Sequence, residues 1–220
     1  MNDSNIAVVI PALDENRYYP DGDLVRFWDT TLLEWKISQV LGFTEKENIV
    51  ISTPSEKVIS LAKEYGLRYF KRDREADLSK WVLESVEAAE REIILWTHAT
   101  SPFISAGDYQ AMLEKYFSLP ESKDGLIAVH KEQEYTFFRN EPLNFDFANF
   151  QTRKNIEPVY RMTNGCFITS KENYRRGWKF FGEFPSYYEV DKLTALEIKD
   201  VDHYEIATTL LSMYFKVKEI

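Results

Sequence analysis

The 220-residue chain is 44% hydrophobic and 29% charged, the balance of a globular protein long enough to bury a substantial core. Its 36 acidic and 27 basic residues leave a net charge of −9, which argues against a general nucleic-acid binder, because phosphate neutralisation needs a basic face. Cys166 is the only cysteine and the three histidines (His98, His130, His203) are widely spaced, so neither an intrachain disulfide nor a cysteine zinc site is expected. No apolar run approaches the ~18 to 20 residues of a membrane helix, and MNDSN provides no basic leader. The expectation is a cytoplasmic protein without a membrane segment.

The pattern along the chain alternates. Ile6–Ile10 is a short β-branched run, followed by the loop PALDENRYYPDGD and by Leu32–Gly42, whose apolar positions recur at helical spacing. Asn48–Ser52 reads as a second strand. Ser55–Gly66 reads as a helix opened by Pro54-Ser55 and closed by Gly66. Leu67–Phe70 is a third strand and LSKWVLESVEAAERE a third helix. Ile93–Thr97 is a fourth strand, followed by a helix over Ser105–Phe117 that Ser105 and Asp108 start as a capping box. Gly125–His130 is a fifth strand. Beyond it the pattern loosens through Tyr135–Phe138 and the aromatic stretch Asn144–Phe150. Gly165–Thr169 and Ser186–Val190 restore strands, and Val201–Phe215 is a terminal helix. Such alternation predicts one α/β domain over residues 1–220 with a mostly parallel sheet, and binding loops at the carboxyl ends of its strands.

Several of those loops fit one frame. Ile10-Pro11-Ala12 follows the first strand, Leu32-Leu33-Glu34-Trp35 opens the first helix, and Val50-Ile51-Ser52-Thr53 forms the second strand. Thr100-Ser101-Pro102 follows the fourth strand, Tyr160 and Asn164-Gly165 precede Cys166-Phe167-Ile168, and Asp202-His203-Tyr204-Glu205 lies on the last helix. The ordered set resembles the CMP-N-acylneuraminate and CMP-Kdo synthetases over nearly the whole chain. The resemblance implies a Rossmann-like, three-layer nucleotidyltransferase of glycosyltransferase-A type, with residues 135–164 as a β-rich dimerisation insertion. It also implies CTP and an acidic 2-keto-3-deoxy sugar as substrates, a CMP-sugar and pyrophosphate as products, Mg²⁺ as cofactor, and a homodimer. Two rival readings are a catalytically degenerate sugar- or nucleotide-binding homologue and a small glycosyltransferase. The Asp-x-Asp matches at Asp21-Gly22-Asp23 and Asp200-Val201-Asp202 suit the glycosyltransferase by pattern. They lie away from the fourth strand, where that motif belongs.

Carried over position by position, the resemblance implies a nucleotide site of Pro11, Ala12, Asn16, Arg17, Asp23, Arg72 and Ser79, with Arg17 in the place of a catalytic phosphate-facing lysine. A guanidinium suits that place, since it binds phosphate oxygens bidentately. His98, Thr100, Ser101, Gln151, Arg153, Tyr160, Arg161 and Asn164 are the implied substrate contacts, with Arg153 and Arg161 placed for an acidic group and His98 for a donor or base. Glu197 is the implied metal ligand; Lys199 stands where a second carboxylate would be. Ser79 also reads as the cap of the third helix. The first loop departs most, with Leu13 where the family has arginine and Asp14, Glu15, Asp21 and Asp23 around a single glycine. A carboxylate ~4 Å from a phosphate costs about 4 kcal/mol at an effective dielectric near 20, so these acids must point elsewhere or be neutralised.

Overall fold

The computed structural model describes residues 5–16 and 19–218. A parallel strand must be apolar on both faces, and β1 (Ile6–Pro11) meets that demand by alternation. Ile6, Val8 and Ile10 enter one core cluster, while Ala7 and Val9 enter the other. After the first loop comes a small hairpin of β2 (Arg26–Phe27) and β3 (Thr30–Thr31), then α1 (Leu32–Leu41). Thr31 and Glu34 cap α1 reciprocally, which satisfies donors that the first turn would otherwise leave open. Leu33, Ile37 and Val40 recur on its buried face.

β4 (Ile49–Thr53) leads to α2 (Glu56–Glu64), capped by Ser55, and Gly66 adopts φ +68 in the turn to β5 (Arg68–Lys71). α3 (Leu78–Glu87) follows, then β6 (Ile93–Trp96) and α4 (Ala106–Phe117), which carries the expected Ser105–Asp108 capping box. The cap of α3 is Asp77, which accepts the Lys80 N–H, and not Ser79.

β7 (Gly125–Glu132) precedes β8 (Phe137–Phe138) and β9 (Glu141–Pro142), a two-residue hairpin turned by Arg139 and Asn140 at positive φ. β10 (Val159–Ser170) is longer than expected, so residues 159–164 belong to the main sheet and not to the insertion. α5 (Lys171–Arg175), β11 (Pro185–Val190) and α6 (Val201–Lys218) complete the chain.

The main sheet has seven strands in the order β11-β7-β10-β6-β1-β4-β5. All neighbours are parallel except the pairs made by β10, which runs antiparallel to both β6 and β7. The expected mostly parallel α/β sheet is therefore present. The cluster containing Ile10 also takes residues from α1, α2, α4 and α6. The cluster containing Trp96 takes residues from α3 and α5. Between β7 and β10 the insertion is ordered by Asn144, whose amide donates to the carbonyls of Glu134 and Glu157 at 2.9 and 2.8 Å. Tyr135 stacks on Phe150 at 4.9 Å, yet Phe147 and Phe150 remain 69% and 63% exposed. No helix among the described residues is long and apolar enough to cross a membrane.

Candidate functional site

Parallel strands bring the loops at their carboxyl ends to one edge of the sheet. The loop after β1 is anchored there by Ala12, whose N–H donates to the Ser52 carbonyl at 3.0 Å. Its two ends then clasp each other. The Leu13 N–H donates to Asp23 Oδ2 at 2.8 Å, and the Asp23 N–H donates to the Leu13 carbonyl at 2.7 Å. Gly22 makes the clasp possible. It adopts φ +53, and a Cβ there would lie 2.4 Å from the Leu13 oxygen.

Much of the acidic character of this loop is answered inside the chain. Arg74, just beyond β5, pairs with Glu15 and lies 3.6 Å from Asp14. Asp23 is buried, and the lost hydration outweighs the Leu13 hydrogen bond and the Arg72 charge, so its pKa is pushed up to about 6. Asp21, the fourth carboxylate, is exposed and has no such partner among the described residues. Arg17, the expected phosphate contact, lies outside the described residues.

The clasp forms one wall of a cavity of about 250 Å³ lined by Pro11, Ala12, Asn16, Asp23, Arg72, Trp81, His98 and Thr100, among others. A second cavity of about 230 Å³ shares Leu13, Arg72 and Trp81 with it. Arg72 lies 4.0 Å over the Trp81 ring, a cation–π arrangement that holds the guanidinium at the cavity wall. Its Nε is buried and has no hydrogen-bond partner among the described residues. Burial lowers its pKa to about 10, which still leaves it cationic at neutral pH. Trp81 is a lining residue that helical periodicity alone does not single out; only its distance from Arg72 does.

His98 is held from both sides. The Trp96 indole N–H donates to His98 Nε2 at 3.3 Å, which assigns the ring proton to Nδ1, and Nδ1 then donates to the Asn164 carbonyl at 3.0 Å. Burial lowers its pKa and favours this neutral form. Both nitrogens are thus committed within the chain, and the ring offers the cavity no open base. Thr100 lines the cavity, whereas Ser101 is buried behind it and Ser79 lies exposed outside it.

Behind Ser101 is a group that the sequence pattern conceals. Lys36 of α1 is fully buried, and its ammonium donates to the Ser101 carbonyl at 2.8 Å and to the Tyr109 hydroxyl at 2.7 Å. Trp35 and Gln39 donate to the neighbouring Pro102 carbonyl at 2.8 and 2.6 Å. Three α1 side chains therefore fix the loop that carries His98 and Thr100. Burial without a carboxylate lowers the Lys36 pKa to about 7.

On the far side of His98, Asn164 donates to Glu197 Oε1, and Lys199 Nζ lies 3.1 Å from Glu197 Oε2. Glu197 and Lys199 border a cavity of about 470 Å³ that is also lined by Arg161, Glu132, Lys192 and His203. Arg161 is paired to Glu132 at 3.0 Å. Gln151, Arg153 and Tyr160 line neither this cavity nor the one around Arg72. Arg153 pairs with Glu134 at 3.1 Å, the Gln151 carbonyl accepts from Tyr135, and Tyr160 stacks on Tyr187 at 6.5 Å.

The donor set does not fit a protein-held Mg²⁺. Magnesium demands an octahedron of oxygens at ~2.0 to 2.1 Å. Glu197 is buried with one oxygen on Asn164 and the other on an ammonium, and no three His, Cys, Asp or Glu side chains gather as a metal site among the described residues. Glu197, the expected metal ligand, therefore has both carboxylate oxygens engaged within the chain.

The family model described as cytidylyltransferase matches residues 20–199. The N-acylneuraminate cytidylyltransferase of Escherichia coli O18:K1:H7 is 25% identical over 227 residues, covering 94% of this chain and 52% of that protein. The N-acylneuraminate cytidylyltransferase of Streptococcus agalactiae serotype V is 22% identical over 89% of this chain and 51% of its own length. The chain thus spans about half the length of these curated relatives. Among solved structures, CMP:2-keto-3-deoxy-manno-octonic acid synthetase complexed with CTP superposes with a TM-score of 0.73 at 12% identity, covering 96% of this chain and 99% of that one. The 4-diphosphocytidyl-2C-methyl-D-erythritol synthase of Anaerococcus prevotii superposes with a TM-score of 0.67 at 14% identity, covering 94% and 96%. At these identities the structural likeness concerns the fold.

Proposed function

Since this chain belongs to the cytidylyltransferase family, we propose that it transfers the cytidylyl group of CTP to a hydroxyl of an acidic, 2-keto-3-deoxy type sugar, releasing pyrophosphate. The observation that carries this reading is Arg72, a cation held over Trp81 with a buried Nε that has no partner among the described residues, in the cavity behind the first loop. A planar donor of this kind suits a nucleotide's carbonyl or phosphate oxygens. Asn16 and Thr100 supply neutral polar groups on the same wall. Three of the loop's four carboxylates are turned to Arg74 and to the Leu13 N–H, which lessens the repulsion a triphosphate would otherwise meet.

The transfer needs the sugar hydroxyl in line with the α-phosphate more than it needs covalent chemistry. The Arg72 cavity and the Arg161–Lys199 cavity flank the linked residues His98, Asn164 and Glu197, so a nucleotide in the first and an acid in the second would meet over that bridge. The committed nitrogens of His98 give it a positioning role there, and Arg17 is assigned the phosphates from sequence alone. The exposed aromatics of the insertion, Phe147 and Phe150 among them, are proposed to be covered by a second copy in a homodimer.

A second reading, a binding homologue without turnover, is favoured by the Lys199–Glu197 pair and by the rebuilt loop. Incubating the protein with CTP, Mg²⁺ and a panel of 2-keto-3-deoxy acids decides between them. Pyrophosphate release with at least one acid is expected. Binding of CTP without release from any acid favours the second reading, and cleavage of a UDP- or CMP-sugar favours a glycosyltransferase.

A further inference from the structure

We propose that the cavity bordered by Arg161, Lys192 and Lys199 is an oxyanion subsite whose positive charge is built into the chain, with Lys199 and Lys192 acting where the resemblance places a divalent cation. This assignment rests on the transferase reading for the identity of the anion, a substrate carboxylate or a nucleotide phosphate, and on the side chains for its charge.

The balance of charge is the first ground. Three cations, Arg161, Lys192 and Lys199, face two carboxylates, Glu132 and Glu197. Each carboxylate already has a cation, Glu132 through Arg161 at 3.0 Å and Glu197 through Lys199 at 3.1 Å. His203 is turned to Asp200 at 2.5 Å. Lys192 has no ion pair or hydrogen-bond partner among the described residues. The adjacent Asp191 makes no ion pair with it among the described residues and is turned to its own loop. One of its oxygens accepts the N–H groups of Leu193 and Thr194 at 2.8 and 2.9 Å, and the other accepts the Thr194 hydroxyl at 3.0 Å. The cavity therefore keeps one ammonium that no carboxylate pairs with among the described residues.

The asymmetry of the Lys199–Glu197 pair is the second ground. Glu197 has a side chain 4% exposed, whereas Lys199 is 47% exposed. One proton of the ammonium is directed to the buried carboxylate, which leaves two donors for the cavity. Glu197 thus anchors the charge from behind, as a ligand anchors a metal, and Asn164 holds its other oxygen. A divalent cation would have to displace the ammonium to reach Glu197. An oxyanion would instead complete it.

The test is calorimetric titration of the full chain in EDTA with CTP, N-acetylneuraminate and 2-keto-3-deoxy-manno-octonate, each alone. At least one probe is expected to bind without metal. Lys192→Ala, an exposed and unpartnered position, should weaken that probe about 5- to 10-fold. The double variant Glu197→Gln/Lys199→Met removes both buried and facing charges together, so the fold is not left with an unpaired carboxylate. It should weaken the same probe by more than about 30-fold, with the melting temperature checked in parallel. Loss for the acids alone identifies a carboxylate; loss for CTP alone identifies a phosphate. The assignment is overturned if no probe binds in EDTA, if neither variant alters binding, or if Mn²⁺ titrated into the wild-type protein gives a spin-resonance signal that Glu197→Gln removes. Metal-free binding that depends on Lys192, with no pyrophosphate release from any acid, would sustain the subsite and sink the transferase reading. Release that neither variant affects would do the reverse.

Discussion

The two cavities at the carboxyl edge of the sheet handle charge in opposite ways. Around Arg72 three of the four carboxylates are taken out of play, with Asp14 and Glu15 on Arg74 and Asp23 buried on a backbone N–H, while one cation sits 4.0 Å over an indole. Around Lys199 the cations face outward and the carboxylates are the groups that hold them. The first cavity is polar by subtraction of acids, the second by surplus of bases. A chain with net charge −9 can therefore present two anion-tolerant cavities, because local fields and not net charge decide what a site accepts.

Removing the fixed cation should break the contrast most strongly. Arg72→Ala is expected to weaken CTP roughly 10- to 100-fold, the loss of one charge-assisted, desolvated contact. Arg72→Lys should recover only part of it, since an ammonium keeps charge but loses the planar donors. Equal binding by wild type and both variants in calorimetry would remove Arg72 from the nucleotide site.

The next effect lies behind the first cavity. Lys36 has a folded pKa lowered to about 7 against an ordinary 10.5, so the unfolded chain binds more protons between those values and stability must rise with pH there. The slope from one such proton is at most about 1.4 kcal/mol per pH unit. Urea midpoints measured from pH 7 to 9 should climb more steeply for wild type than for Lys36→Met. Parallel curves would mean that the ammonium is better solvated than its burial indicates.

Asp23 gives a smaller effect of opposite sign. Its folded pKa is raised to about 6 from 3.8, so its contribution to stability is present below the lower value and is lost as pH rises through the higher one. Asp23→Asn keeps an oxygen for the Leu13 N–H and should flatten that decline between pH 4 and 6, as read by thermal melts. An unchanged decline would assign it to other carboxylates. Arg74→Ala is the mildest. Its ion pairs are exposed, so a change of only a few-fold in the KM for CTP is expected, with melting temperature nearly constant.

What the sequence made legible was local. The alternation in Ile6–Ile10, the capping box at Ser105 and the turn at Gly66 each act within a few residues, and all appear where their spacing places them. The ordered loops after the strands also suffice for the fold, which the cytidylyltransferase match and the superpositions support. Long-range pairings were not legible. Arg74 reaches Glu15 across 59 positions and Lys36 reaches Ser101 across 65, and nothing in either local pattern marks the partner. Lys36 even interrupts the apolar face of α1, where periodicity alone would read a solvated lysine. The β8–β9 turn was hidden because it uses Arg139 and Asn140 at positive φ in place of glycine. The pairing of Glu197 with Lys199 was hidden for a related reason. Glu197 and Lys199 are two residues apart, but only the fold shows that one is buried beneath the other.

The most direct measurement of the central claim is mass analysis of the products formed from CTP and 2-keto-3-deoxy acids. The account predicts a CMP-linked acid and an equal amount of pyrophosphate with at least one of them, and loss of both products in Arg72→Ala. Unchanged CTP with every acid, or free CMP without a linked product, would contradict it.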